Sequence, residues 1–308
     1  MRVIEGQKTK LSRTMHGIAY DSQHDEIIVP VHLAGALLVF RGDAEGEDAP
    51  VRVIQGSHTG LLRPETVTLD VKHDEIFVGE DSGHDVLVFH REANGDVAPL
   101  RVIHGAQTEL DEVRGVAVDP ERNLLVVSSR SATFPTGVFV FKRTDDGDVV
   151  PQAVIAGPKT GIVRIRQIAV SDGKIYVAVK NNKDSFDVNA AVPSPWNPDL
   201  PGFIGVWNIS DNGDVPPRAW IKGPATGLIW PAGVALNSGD REIYAIDSVR
   251  NGMLTFFMPE VSGRRLMSLA SPRVTAAAVA SCSAPAAPVV TRAASTPTSL
   301  AIRRPTLS

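Results

Sequence analysis

The segment Gly56-Ser-His-Thr59-Gly-Leu61 decides the fold, because the pattern Gly-x-x-Thr-x-Leu/Ile recurs along the chain. Successive copies are separated by 50, 49, 52 and 66 residues. Self-similarity at a period near fifty residues is typical of repeat architectures, in which each unit packs on its neighbours. The five copies begin at Gly6, Gly56, Gly105, Gly157 and Gly223.

The residues between two copies predict four short strands. Gly115-Val-Ala-Val-Asp119 is typical of a first strand, Glu75-Ile-Phe-Val78 of a second, and the run from Val86 to Phe89 of a third. A Gly-Asp turn and Pro99 then precede a fourth strand, Arg101-Val-Ile103. β-Branched and aromatic runs favour strands, and a proline before the last strand suits an outer edge. We therefore predict an all-β protein, a β-propeller of four-stranded antiparallel blades.

The register of the repeat predicts how the ring closes. The chain opens on a fourth strand, Arg2-Val-Ile4, and the repeat stops after a third strand that ends at Phe257. We expect the N-terminal strand to complete the last blade, and two arrangements stay open, a closed five-bladed ring or an incomplete six-bladed one. The repeat units of the propeller domain, residues 1–260, are 2–50, 51–99, 100–151, 152–217 and 218–258.

These residues resemble the NHL-type propellers, in the wider group that includes the SMP-30/gluconolactonase-like enzymes. The matching pattern is Gly-Ile/Val-Ala-Val-Asp, then Ile-Tyr-Val-Ala, then Val-x-Val-Phe, then Gly-Asp-x-x-Pro-x-Arg-x-Ile-x-Gly. The resemblance covers about residues 1–258 and implies a bacterial propeller, usually with six blades. It says little about activity, because one fold carries many functions.

Residues 261–308 differ from the propeller in composition. They are rich in Ala, Ser, Pro and Thr, which predicts a low-complexity, disordered tail, either natural or the product of a frameshift. This tail holds six arginines, no acidic residue and the one cysteine, Cys282. Of 31 basic residues, 25 remain before it against 35 acidic ones, a net charge of −10. An acidic body argues against nucleic acid as a partner, and no apolar run is long enough to span a membrane.

Candidate binding residues are found at positions whose residue type changes from one repeat to the next, whereas the flanking positions keep the repeat pattern. Just before the first strands the chain has His16, Glu65, Arg114, Arg166 and Ala232, and after the second strands it has polar residues. Both positions belong to the loops around the channel mouth, the usual place for a site in such a fold. Arg114 and Arg166, on consecutive blades, predict binding of a carboxylate, unless they pair instead with Glu65 and Glu80. The residues after the second strands are His32, Glu80, Asp81, Arg130, Lys180, Asn181 and Asp247.

We expect no cofactor and no metal. The resemblance to SMP-30-like enzymes would place Ca²⁺ on carboxylates at the mouth, and if a metal binds, the ligands we predict are Glu65, Glu80, Asp81 and Asp247. Neighbouring arginines oppose a cation there. Zn²⁺ is less favoured, because His16 and His32 belong to one blade and no other blade has a histidine at the mouth.

The fourth repeat carries a long insertion between its second and third strands, residues 181–203. Its aromatic residues include Trp196, and several prolines stiffen it. Together with Trp230, which precedes the next first strand, these residues predict a wall or lid of a pocket. A purely structural role for the same aromatics stays open.

Three functions remain after this reasoning. The favoured one is a non-enzymatic module that binds a small polar or anionic ligand, or a protein, at the channel mouth. The alternatives are a metal-dependent, lactonase-like hydrolase and an incomplete gene product with no function of its own. The N-terminus has no apolar signal region, which predicts a cytoplasmic protein, or a periplasmic or secreted one if upstream sequence is missing.

Overall fold

The architecture consists of short antiparallel strands. The structure, a computed structural model, describes residues 2–13, 15–180 and 202–258. In these ranges the strands are β1 (Ala19–Asp21), β2 (Glu26–Val31), β3 (Ala36–Arg41), β4 (Arg52–Gln55), β5 (Pro64–Asp70), β6 (Glu75–Glu80), β7 (Val86–His90), β8 (Arg101–Ile103), β9 (Glu112–Asp119), β10 (Leu124–Arg130), β11 (Gly137–Lys142), β12 (Ala153–Ala156), β13 (Arg164–Ser171), β14 (Lys174–Lys180), β15 (Phe203–Asn208), β16 (Ala219–Ile221), β17 (Pro231–Asn237), β18 (Glu242–Asp247) and β19 (Gly252–Phe257). Short 3-10 turns lie at Gln7–Thr9, His32–Ala34, Ala106–Thr108, Pro158–Thr160 and Pro224–Thr226.

Strands that are consecutive in the chain form each sheet, and the five sheets are the blades of a propeller. The sheets are β1–β4, β5–β8, β9–β12, β13–β16 and β17–β19. The predicted all-β fold class is confirmed. In the first four sheets β4, β8, β12 and β16 are edge strands, which explains why a proline is tolerated just before each of them. The sheets are offset by one strand from the sequence repeats, because each repeat begins on the fourth strand of the preceding sheet.

The Gly-x-x-Thr motif joins each outer strand to the next blade. The hydroxyl of Thr108 donates to the carbonyl of Gly105 at 2.7 Å and accepts the amide of Leu110 at 3.2 Å. Gly105 has a φ of 114°, and a side chain there would collide with Asp148. Asp148 comes from the Gly-Asp turn of the next blade and accepts the amide of Gln107 at 2.7 Å. The motif is therefore a connector between blades, which is why it recurs.

The core lies between adjacent blades rather than inside any one of them. Val67, Val116, Ile168 and Val234 occupy the same position of successive first strands and expose 4–8% of their surface. Each packs in an apolar cluster built from two neighbouring sheets. Burial of a sheet on both faces explains the nearly continuous apolar runs in the sequence.

The last sheet differs from the prediction. In the described residues it has three strands, β17–β18–β19, and no pairing joins β19 to the N-terminal segment. Ile4 instead forms a bridge with Gly46 of the first blade, as Ile54 does with Gly95. The predicted closing strand thus reaches the first blade but does not complete the fifth. The outward faces of the two terminal blades are accordingly uncovered, since Ile18 of the first blade is 68% exposed and Ile246 of the fifth is 48% exposed.

The described ranges contain no helix long and apolar enough to cross a lipid bilayer. The tail at 261–308 and most of the insertion at 181–203 lie outside the described residues.

Candidate functional site

A β-bulge shapes the start of the first strand in four blades. Pairing with the second strand skips Glu65, Arg114 and Ala232, and in the fourth blade it skips Arg166 and Gln167. A bulge leaves one residue unpaired and redirects its side chain, and such features are common beside functional sites. The residues that break the sequence repeat are therefore the ones that the bulges release from the sheets.

These side chains meet in one pocket at the channel mouth. The pocket has a volume of about 340 Å³ and draws on all five blades. The five residues predicted to precede the first strands all line it, although in the structure four of them lie at the bulges inside those strands. The lining residues are Met15, His16, Glu65, Arg114, Arg166, Gln167, Ala232 and Ser248.

Glu65 is the hub of the polar contacts in this pocket. Glu65 is 3% exposed, its Oε1 accepts a hydrogen bond from Arg114 at 3.1 Å, and its Oε2 contacts Nδ1 of His16. Nδ1 of His32 lies 3.5 Å from the same Oε2. Burial opposes ionisation, but the hydrogen bond from His16 and the charges of His16 and Arg114 outweigh it, so the pKa of Glu65 lies below its usual value. Glu65 is therefore a buried anion held from two sides.

Arg114 is enclosed by carboxylates. It lies 3.1 Å from Glu65, 3.1 Å from Asp81 and 2.6 Å from Glu112. Burial works against its charge, yet the hydrogen bond to Glu112 and the charges of Glu65 and Asp81 raise the pKa of Arg114 overall. The alternative pairing considered from the sequence is thus seen with Glu65 but not with Glu80. This arginine is occupied within the protein.

Cations gather on the side of the pocket formed by the third and fourth blades. Arg166 has 37% of its side chain exposed and lies 3.9 Å from Oε1 of Glu65. Lys180 lies over the ring of Trp230. The charge of Arg166 acts on Lys180, so the two cations are on the same side. Burial, followed by the charges of Arg164, Arg166 and Arg130, lowers the pKa of Lys180 to about 7. Arg130 is bound to Glu112 at 2.6 Å.

Two of the predicted site residues, Glu80 and Asp247, are buried and bind backbone amides. Both expose none of their surface. Glu80 accepts the amides of Leu62 and Arg63 at 3.1 and 2.6 Å, and Asp247 accepts those of Ile229 and Trp230 at 2.7 Å each. Burial and the nearby Asp85 and Asp81 charges raise the pKa of Glu80 to about 7, against the effect of these hydrogen bonds. Neither carboxylate lines the pocket, so the predicted four-carboxylate metal set is not assembled.

His32 is the residue whose role sequence reasoning missed. It begins the turn after β2, is 8% exposed, and reaches Glu65 of the next blade. Burial is the main cause that lowers the pKa of His32. The sequence places His32 at the mouth, but a single repeat does not indicate that its side chain contacts Glu65 of the next blade. Two other predicted residues, Asn181 and Trp196, lie outside the described residues.

Comparison with known proteins supports the fold alone. No protein-family model and no curated protein matches the chain. Among solved structures, it is similar to a chain of Kuenenia stuttgartiensis hydrazine synthase, with a TM-score of 0.58 and 13% identity, over 79% of this chain and 64% of that one. It is also similar to a chain of a nidogen/laminin complex, with a TM-score of 0.54 and 14% identity, over 79% and 76% of the two chains. This chain therefore spans less than two thirds of the hydrazine synthase chain. At these identities the likeness shows a propeller-type fold.

Proposed function

We propose that the protein is a propeller binding module whose mouth pocket takes a small organic anion. The observation that carries this proposal is the position of Arg166. Its guanidinium lines the pocket and is partly exposed, while the nearest carboxylate, Glu65, is already held by Arg114 and His16. A guanidinium in this setting gains from a carboxylate or phosphate that binds it in a forked, charge-assisted pair.

The positive charges on the side of the pocket that holds Arg166 also support an anionic ligand. Burial and the nearby charge of Arg114 lower the pKa of Arg166. Burial, followed by the charges of three arginines, lowers the pKa of Lys180 to about 7. Cations that disfavour one another's charge are stabilised by an added anion. A volume of about 340 Å³ is at the lower end of ligand pockets, which favours a small ligand.

The test uses calorimetric titration of chelator-treated protein with citrate, inorganic phosphate and glucose. We expect saturable binding of one anion per chain and none of glucose. A charge-assisted hydrogen bond contributes about 1.5–3 kcal/mol, so Arg166→Gln should weaken anion binding roughly tenfold to a hundredfold. Arg41→Gln, which removes an exposed arginine paired with Asp43, is the matched control and should leave binding unchanged.

Two results would overturn the proposal. One is the absence of binding by either anion, and the other is equal binding by wild type and Arg166→Gln. If a protein rather than a small anion is the partner, the first of these results is the one expected.

A further inference from the structure

We infer that His16, His32 and Glu65 form a binding site for one divalent transition-metal ion of the Zn²⁺ type, with an open coordination position facing the pocket. This inference adds a site to the proposed function and does not depend on anion binding. It differs from the metal ligands expected from the sequence, which were four carboxylates.

The geometry of the three side chains fits a single ion. Each offers a ligand atom, and these atoms all lie within 4.8 Å of one another. The distance from Nδ1 of His32 to Oε2 of Glu65 is 3.5 Å, which is too long for a good hydrogen bond. Two ligands of one tetrahedral zinc, with bonds of about 2.1 Å, are separated by about 3.4 Å. The His32–Glu65 separation therefore suits two ligands that share an ion.

His32 provides a second, independent observation. Its side chain is nine-tenths buried, and Nδ1 has no hydrogen-bond partner in the part of the chain that the structure describes. Buried polar atoms are nearly always satisfied, because desolvation without a partner costs free energy. A metal ion between His32 and Glu65 supplies the missing partner.

The surroundings hold Glu65 in the manner of a metal ligand. Arg114 donates to Oε1 at 3.1 Å, which leaves Oε2 directed toward the two histidines. Groups that bind the distal atom of a ligand fix its orientation and strengthen the site. The positive charge of Arg114 does not oppose a cation strongly, because Asp81 and Glu112 lie at 3.1 and 2.6 Å from it.

The ligand types select the class of metal. Two imidazoles and one carboxylate suit Zn²⁺ and similar ions, whereas Ca²⁺ and Mg²⁺ prefer sets made of oxygen atoms alone. His16 is the adaptable member, since its side chain is 40% exposed and it precedes β1 rather than lying in a strand. Its ring has room to move away from Glu65 when an ion enters between them. The fourth position then faces the pocket that His16 and Glu65 line.

The test is a titration of chelator-treated, full-length protein with Zn²⁺ alone, followed by the visible spectrum of the Co²⁺ form. All measurements use a Cys282→Ser background, so that the one thiol of the chain does not contribute. We expect one ion per chain and a tetrahedral Co²⁺ spectrum. His32→Ala and His16→Ala should each weaken binding at least tenfold, whereas His58→Ala, at an exposed histidine beside Asp96, should not.

Folding of each variant is checked by circular dichroism, and the exposed His16→Ala keeps the test decisive if His32→Ala unfolds. Absence of Zn²⁺ binding would overturn the inference. So would binding that is unchanged in His16→Ala, or that is lost equally in His58→Ala. Arg166→Gln should retain the metal, which separates failure of this inference from failure of the anion site.

Discussion

Ile18 and Val67 occupy the same position of the first and second blades, yet Ile18 exposes 68% of its surface and Val67 only 6%. The difference arises because Val67 packs against the preceding blade, in a cluster that contains Ile28 and Leu37. Ile246, on the outward face of the fifth blade, is also exposed, whereas Ala178 at the equivalent position of the fourth blade is fully buried. The two terminal blades therefore present faces that are covered at every other blade boundary.

This difference predicts unequal losses of stability when threonine replaces the apolar residue at each position. A buried hydroxyl without a partner costs about 1–3 kcal/mol, so Val67→Thr should lower the free energy of unfolding by that amount. Ile18→Thr should change it by less than about 0.5 kcal/mol, as for an exposed site. Urea unfolding measures both. Equal costs would mean that Ile18 is covered in solution and that the ring is closed there.

Arg114 is expected to stabilise the mouth of the propeller. Arg114→Met leaves Glu65, Asp81 and Glu112 without their shared cation, and breaking a buried ion pair in this way costs about 3–5 kcal/mol. The matched control is Arg41→Met, whose exposed pair with Asp43 should contribute at most about 1 kcal/mol. Chemical denaturation compares the two variants, and similar losses for both would contradict the role assigned to Arg114.

Lys180 should make stability depend on pH. Burial and nearby arginines lower its pKa in the folded protein from 10.5 to about 7, so between these values the unfolded chain binds a proton that the folded chain does not. The contribution of Lys180 to stability therefore rises as the pH increases from about 7 to 10.5. Lys180→Met, which keeps an apolar stem over Trp230, should be more stable than wild type at pH 7.

The measurement is the difference in thermal midpoint between Lys180→Met and wild type at several pH values. The advantage of the variant should shrink toward pH 10. An advantage that stays constant or grows with pH would show that the pKa of Lys180 is not lowered.

The connector motif should depend on the hydroxyl of its threonine. Thr108 is fully buried, and Thr108→Val keeps its shape but removes both hydrogen bonds, to Gly105 and from Leu110. The amide of Leu110 then loses its partner, whereas the carbonyl of Gly105 still accepts the backbone amide of residue 108 at 3.2 Å. The unsatisfied amide costs about 1–3 kcal/mol. Thr108→Ser keeps the hydroxyl and should be the milder change in an unfolding experiment. A greater loss for the serine variant would show that packing of the methyl group, not hydrogen bonding, gives the motif its value.

Repetition made much of the fold predictable. The Gly-x-x-Thr copies located the connectors, and the fourth strand at Arg101–Ile103 was found at its predicted position. The pocket residues predicted to precede the first strands were also identified, because residues such as His16 and Arg166 differ between repeats while the flanking positions keep the repeat pattern. One repeat does not show how it packs on the next, so the sequence predicted neither the bulges nor the three-stranded form that the last sheet has in the described residues.

The site could be predicted less completely than the fold, because adjacent residues of similar chemistry take different roles in it. Glu80 and Asp81 are adjacent carboxylates, but Glu80 binds backbone amides in the interior while Asp81 contacts Arg114. Glu80 ends β6 and Asp81 follows it, so a single-residue error of register exchanges the two side chains. The contact between His32 and Glu65 crosses a blade boundary, so it depends on a packing distance that no local pattern encodes.

The most direct test of the central claim is a crystal structure of the chelator-treated protein grown with the anion that binds most tightly in calorimetry. The account predicts density for that anion in the mouth pocket, with an oxygen atom within hydrogen-bonding distance of the guanidinium of Arg166. An anion bound elsewhere on the propeller, with no ligand density beside Arg166, would contradict it.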